Sequence, residues 1–153
     1  MSAPLDKLRF MLGEWKGHAE GQFGEKGIID SKFEVTQDPS ERFITSHGES
    51  RHNGELVLRA INILLYDINI HKYVRKSAYS YGWILNAVGD WTTPDRLVFD
   101  VVSTDGEPEA FKGTRWRSFI QKYSENELGT GLEFAKKGEP FKSYGESIAK
   151  RVK

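Results

Sequence analysis

From Gly13 onward the chain changes from a helical spacing of apolar residues to a spacing of two, and it keeps that period almost to its end. Ile29, Ser31, Phe33 and Val35 alternate with Asp30, Lys32 and Glu34, and the run stops at QDPSE. Similar alternating segments cover 13–23, 28–36, 42–51, 56–66, 73–79, 83–91, 97–103, 111–123, 128–135 and 144–152. Turn chemistry separates most of them: GEKG, HNG, DINIHK, TTPD, SENE and KKGEP. His52-Asn53-Gly54 is the strongest, a two-residue hairpin signal. About ten short strands joined by short loops predict consecutive antiparallel pairing, and so many strands must hide their edges. Up-and-down closure is the simplest solution. The expected fold is therefore an all-β, antiparallel up-and-down barrel of about ten strands, with two packed sheets of Greek-key type as the competitor. Before it, Leu5, Leu8 and Leu12 at helical spacing, with Pro4 in the first turn, predict a short helix over 4–12 across one opening.

The first strand explains how such a barrel would be filled. Trp15, Gly17, Ala19, Gly21 and Phe23 share one face, while Glu14, Lys16, His18, Glu20 and Gln22 share the other. One large indole followed by small residues reads as a floor plug with room above it. An ordinary sandwich core with glycines at bulges is the plainer alternative.

Composition narrows the function classes. Lysine plus arginine and aspartate plus glutamate each number 22 in 153 residues, so no global field draws nucleic acid or an anionic membrane. The absence of cysteine removes disulfides, thiolate metal sites and cysteine nucleophiles, and fits a cytoplasmic setting. The N-terminal stretch has no signal-peptide pattern, and the longest apolar run, 61–66, is too short to span a bilayer of about 30 Å. With no repeat or linker, residues 1–153 are expected to form a single domain. Oligomeric state has no handle in the sequence.

Gly13-Glu14-Trp15, preceded by a short helix, resembles the G-x-W signature of the calycins, the superfamily of lipocalins and fatty-acid-binding proteins. The longer GEWKGHAEGQF is similar to the opening G-x-W-x-G-x-G of nitrobindin-like haem-binding domains, with Ala19 where a third glycine is usual. Residues 114–153 resemble the C-terminal strands of small bacterial domains related to that group. The resemblance implies a basic residue of the last strand, Lys150 or Arg151, packed over Trp15. It also implies haem ligation by a histidine near the C-terminus, yet His18, His47, His52 and His71 all lie in the first half. Haem needs an axial ligand, and Tyr144 is the remaining side chain there that bears on the question.

Fatty-acid-binding barrels hold a carboxylate with arginines of late strands and a tyrosine. By that analogy Arg115 or Arg117 with Tyr144 forms a candidate polar anchor, because the guanidinium fork donates two parallel hydrogen bonds and stays charged when desolvated. Parity leaves two outcomes open: the arginines face inward, or Trp116 does. Tyr73, Arg75, Ser77 and Tyr79, with Trp83 and Trp91, are expected to wall a pocket. His47 and Glu49 share a face and are the weak candidates for an acid–base pair in a barrel enzyme. No nucleophile elbow or zinc motif is present, and the scattered histidines predict no metal site. The expected function is non-enzymatic binding of a small, mostly apolar molecule, with an acid group as an optional feature. Haem or nitric-oxide binding of nitrobindin type, a cavity enzyme and a barrel that serves only a protein partner are the alternatives.

Overall fold

The computed structural model describes residues 3–152. A short helix, α1 (Ala3–Asp6), and a 3-10 turn (Arg9–Met11) lead into ten strands. These are β1 (Gly13–Glu20), β2 (Ile28–Gln37), β3 (Phe43–His52), β4 (Glu55–Asp67), β5 (Lys72–Tyr79), β6 (Ile84–Thr93), β7 (Arg96–Asp105), β8 (Arg115–Ser124), β9 (Glu127–Ala135) and β10 (Lys142–Arg151). Each strand pairs antiparallel with its sequence neighbours, and β1 pairs with β10, so the sheet closes on itself. Closure satisfies both edges of every strand, which a sandwich of these strands would not do. The sandwich alternative is thereby set aside.

Register follows the alternation in the sequence. Trp15 lies opposite Phe33 and Arg151, Gly17 opposite Ser31 and Ala149, and Phe33 opposite Gly48. Trp15, Gly17 and Ala19 are buried while Lys16, His18 and Glu20 are exposed, which fixes the inward face of β1 and, through the pairing, of every other strand. The β3–β4 hairpin turns at Asn53-Gly54, both with positive φ (49° and 88°), the geometry that matches the twist of two short-linked strands.

The predicted helix over 4–12 is shorter than expected. α1 ends at Asp6 and a 3-10 turn follows at Arg9–Met11, and the carbonyls left free there are satisfied from the barrel: the Trp15 indole N–H donates to the Met11 oxygen, and Arg151 donates to those of Phe10 and Leu12. The predicted strand over 111–123 likewise begins only at Arg115, because 109–111 form a 3-10 turn and Gly113 adopts φ 81°.

Two apolar clusters close the two ends. At the floor, Leu5, Leu8, Phe10 and Met11 pack onto Trp15, Val35, Ile44, Leu64, Tyr73 and Leu97. The Tyr73 hydroxyl donates to the Pro4 carbonyl at 2.6 Å and fastens the helix to the barrel. At the mouth, Trp83, Leu85 and Trp116 are buried among Tyr79, Phe111, Phe134 and Tyr144. Among the described residues no helix is long and apolar enough to cross a membrane.

Candidate functional site

Between floor and mouth the lumen has a polar waist. Ser46, Asn62 and Ser77 lie directly opposite one another on β3, β4 and β5, all facing inward. The Ser77 hydroxyl donates to Asn62 Oδ1 at 2.5 Å, and Asn62 Nδ2 donates to Ser46 Oγ at 3.1 Å. Arg75, next inward on β5, donates through Nε and Nη2 to the same Asn62 oxygen at 3.2 and 3.1 Å. Its Nη1 reaches across the lumen to Ser118 Oγ on β8 at 2.7 Å. Ser77 and Ser118 are each only 3% exposed, so this network belongs to the interior. Arg75 was expected as part of an apolar wall; it is instead the centre of the polar one.

The waist is packed unevenly. On β6 to β8 the inward residues Leu85, Ala87, Leu97, Phe99, Trp116 and Ile120 are buried, and Trp91 and Val101 keep intermediate exposure. On β2 to β5 the inward residues Phe33, Ser46, Leu58, Asn62 and Arg75 keep intermediate exposure, whereas Val35, Ile44, Leu64, Tyr73 and Ser77 are buried. Ser31, Gly48 and Ser50 fill the same side with little volume. Phe33 stacks on Trp15 at 6.3 Å and Trp91 packs edge-on to Tyr73 at the floor, while Trp83 and Phe134 lie in the mouth cluster.

Tyr79, Trp83 and Tyr144 meet at the mouth. Trp83 lies 6.0 Å from both Tyr79 and Trp116, and Tyr144 packs edge-to-face against Trp116 at 5.2 Å. Arg115 and Arg117 do not join them, and the expected anchor is corrected. Trp116 takes the inward position, and both arginines project outward, where they pack on Phe141 at 4.9 and 3.9 Å. Arg117 pairs with Asp100 at 3.0 Å. The physical reason is the trade between neighbours on one strand: one parity had to be buried, and an indole with Ser118 and Ile120 loses less by leaving water than two guanidinium groups.

The acid–base pair is corrected in the same way. His47 lies opposite Glu34 and Ile61 on the outer wall, and Glu49 shares that face with Arg51, 3.6 Å from its carboxylate. Both line an open groove of about 730 Å³ together with Lys16, Lys32, Glu34 and Arg59 of the outer face and Phe33, Gly48, Ala60 and Tyr79 of the inward rows. Both side chains are directed away from the lumen, so neither reaches a molecule held inside the barrel.

Haem does not fit the residues present. His18 pairs with Asp30 on the outer face, His71 is in a turn, and the ring of His52, at the rim, is engaged by the Lys26 carbonyl at 2.6 Å. Tyr144 is the one inward oxygen that the resemblance offered, and burial pushes its phenol above the ordinary value, opposite to what a phenolate ligand needs. Among the described residues no three histidine, aspartate or glutamate side chains converge as a metal site.

The class defined by this architecture is a closed, ten-stranded antiparallel meander barrel with a plugged floor and a polar waist. The crystal structure of Rv2717c from M. tuberculosis is similar: the match covers 100% of this chain and 99% of that one, with a TM-score of 0.68 and 15% identity. At that identity the likeness shows the fold alone. No protein-family model matches the chain, and no curated protein matches it in sequence.

Proposed function

We propose that this protein is a non-enzymatic, calycin-like binder of a small, mostly apolar molecule carried inside the barrel, in a cytoplasmic setting. The observation that supports this reading is the uneven lumen above the floor: inward Ser31, Phe33, Ser46, Ser50, Leu58 and Asn62 on β2 to β4 keep partial exposure, while Leu85, Ala87, Phe99 and Trp116 on β6 to β8 are buried. A core built only for stability fills its volume on all sides. The aromatic mouth cluster draws on β5 to β10, and Ile29, Ser50 and Leu58 line the other side. A ligand entering there meets apolar walls first and polar groups at the waist, the usual division of labour in a small-molecule pocket.

Two measurements test the reading. Native mass spectrometry of gently purified protein would reveal a co-purifying molecule by its mass. Titration with a neutral fluorescent probe such as N-phenyl-1-naphthylamine should give saturable binding that Ala60→Phe abolishes, because Ala60 faces inward between Gly48 and Tyr79. Equal binding by the filled variant would place the probe outside the lumen and overturn the reading.

A further inference from the structure

Resting on that reading, we propose that Arg75 is a pre-organised anchor for a monoanionic carboxylate, so that the barrel takes acids with an apolar tail. The guanidinium carries five N–H donors, and the three hydrogen bonds to Asn62 and Ser118 leave two without a protein acceptor. All of its partners are neutral. Among the described residues no carboxylate pairs with it, and its inward neighbours are Asn62, Leu64, Tyr73, Ser77, Ala87 and Ser118. Arg75 is half-buried, so its guanidinium has lost part of its hydration without gaining a counter-ion, and an arginine cannot shed its charge by deprotonation. A bound anion supplies that counter-ion.

The anchor is held rather than loose. Asn62 Oδ1 accepts from two nitrogens of the fork and from Ser77, and its amide nitrogen is committed to Ser46, which fixes which way the amide faces. Ser118 fixes the other side of the guanidinium from the opposite wall. The side chain is therefore ordered before any ligand arrives, and binding does not have to order it. Two free N–H groups and one positive charge match one carboxylate in number and sign. A dianionic phosphate would bring an unmatched negative charge into the same waist. The tail of the acid would lie toward Phe33, Leu58 and Ala60 on the half-exposed side of the lumen.

Calorimetric titration of the wild-type protein with decanoate and with decanol, which share a tail and differ in the head, tests the anchor. Decanoate should bind at least about tenfold more tightly than decanol. Arg75→Met should bring decanoate to the level of decanol and leave decanol unchanged, and Arg75→Lys, which keeps the charge without the fork, should keep part of the preference. Should Arg75→Met fail to fold, Arg75→Lys and the wild-type preference still decide the matter. Equal binding of both compounds by the wild type, or a preference for decanoate that survives in Arg75→Met or is undiminished in Arg75→Lys, overturns the anchor and leaves the carrier reading standing. Binding of neither compound overturns both.

Discussion

The guanidinium of Arg151 lies over the Trp15 indole, 4.4 Å from the ring centre, and donates to the carbonyls of Leu12 and Phe10 at 2.5 and 2.6 Å. It also donates to the Glu125 carbonyl through Nε and Nη2 at 3.2 and 2.9 Å. One side chain thus joins the last strand, the β8–β9 turn and the segment that closes the floor. Arg151→Met keeps much of the stem packing but strands three carbonyl groups, and it should cost about 2–4 kcal/mol in urea unfolding. Arg151→Lys should restore little, since an ammonium cannot donate in a planar fork. A loss within about 0.5 kcal/mol, the range of ordinary surface changes, would show that the floor holds without it.

Gly89 faces inward between Tyr73 on β5 and Phe99 on β7. A Cβ at this position would run into the Val98 carbonyl oxygen and stand 2.8 Å from the Phe99 Cα, so backbone rather than a flexible side chain would have to move. Gly89→Ala should therefore destabilise the barrel by about 1–3 kcal/mol despite adding a single methyl group. Thermal unfolding followed by circular dichroism measures it, and an unchanged midpoint would mean that β6 and β7 are not held so closely.

Most strand limits were legible because alternation and turn chemistry are local signals. Ile29 to Val35 reads correctly from its own residues, and Asn53-Gly54 marks its hairpin without tertiary help. Closure was legible only as an inference from the number of strands, since nothing in GEWKGH names β10 as its partner. The site was harder to read. On β8, both faces carry large residues: Trp116 and Ile120 inward, Phe119 outward under the Arg96 guanidinium at 3.9 Å. An outer phenylalanine shielded by a cation from another strand weakens the contrast between faces, which is why Arg115 and Arg117 remained ambiguous. Arg75 did leave a signal: an arginine in the same parity as Tyr73, Ser77 and Tyr79 is out of place in an apolar row. What no sequence pattern supplies is its partner Ser118, which lies across the lumen, 43 residues away.

Tyr123 donates its hydroxyl to the Glu146 carboxylate at 2.8 Å on the outer wall. Partial desolvation of a ring that stays 50% exposed, then this carboxylate, push the phenol up to about 12. The folded value lies above the free value of about 10, so the neutral phenol's contribution to stability is complete below pH about 10 and is lost as the pH rises toward about 12. Glu146→Gln removes the negative charge and should move this titration toward lower pH, as read by the ultraviolet absorbance of tyrosinate. Superimposable titrations of variant and wild type would show that the carboxylate contributes nothing to the shift.

Trp15 and Trp116 are comparable in burial, at 1% and 4% exposed, and differ in how their indole N–H groups are satisfied. Trp15 donates to the Met11 carbonyl at 2.8 Å, whereas Nε1 of Trp116 is buried without a hydrogen-bond acceptor. Trp116 is instead enclosed by rings, with Phe111 and Tyr144 both edge-on at 5.2 Å, and contacts between N–H groups and ring faces are weak. Replacing either tryptophan by phenylalanine removes a similar volume and leaves a similar void. Only Trp15→Phe also strands a carbonyl, while Trp116→Phe deletes a donor that already lacks a partner. Trp15→Phe should therefore cost about 1–3 kcal/mol more than Trp116→Phe in urea unfolding followed by far-ultraviolet circular dichroism. Equal losses would mean that Trp116 does find an acceptor at the mouth, and that this end of the barrel is better satisfied than its ring packing indicates.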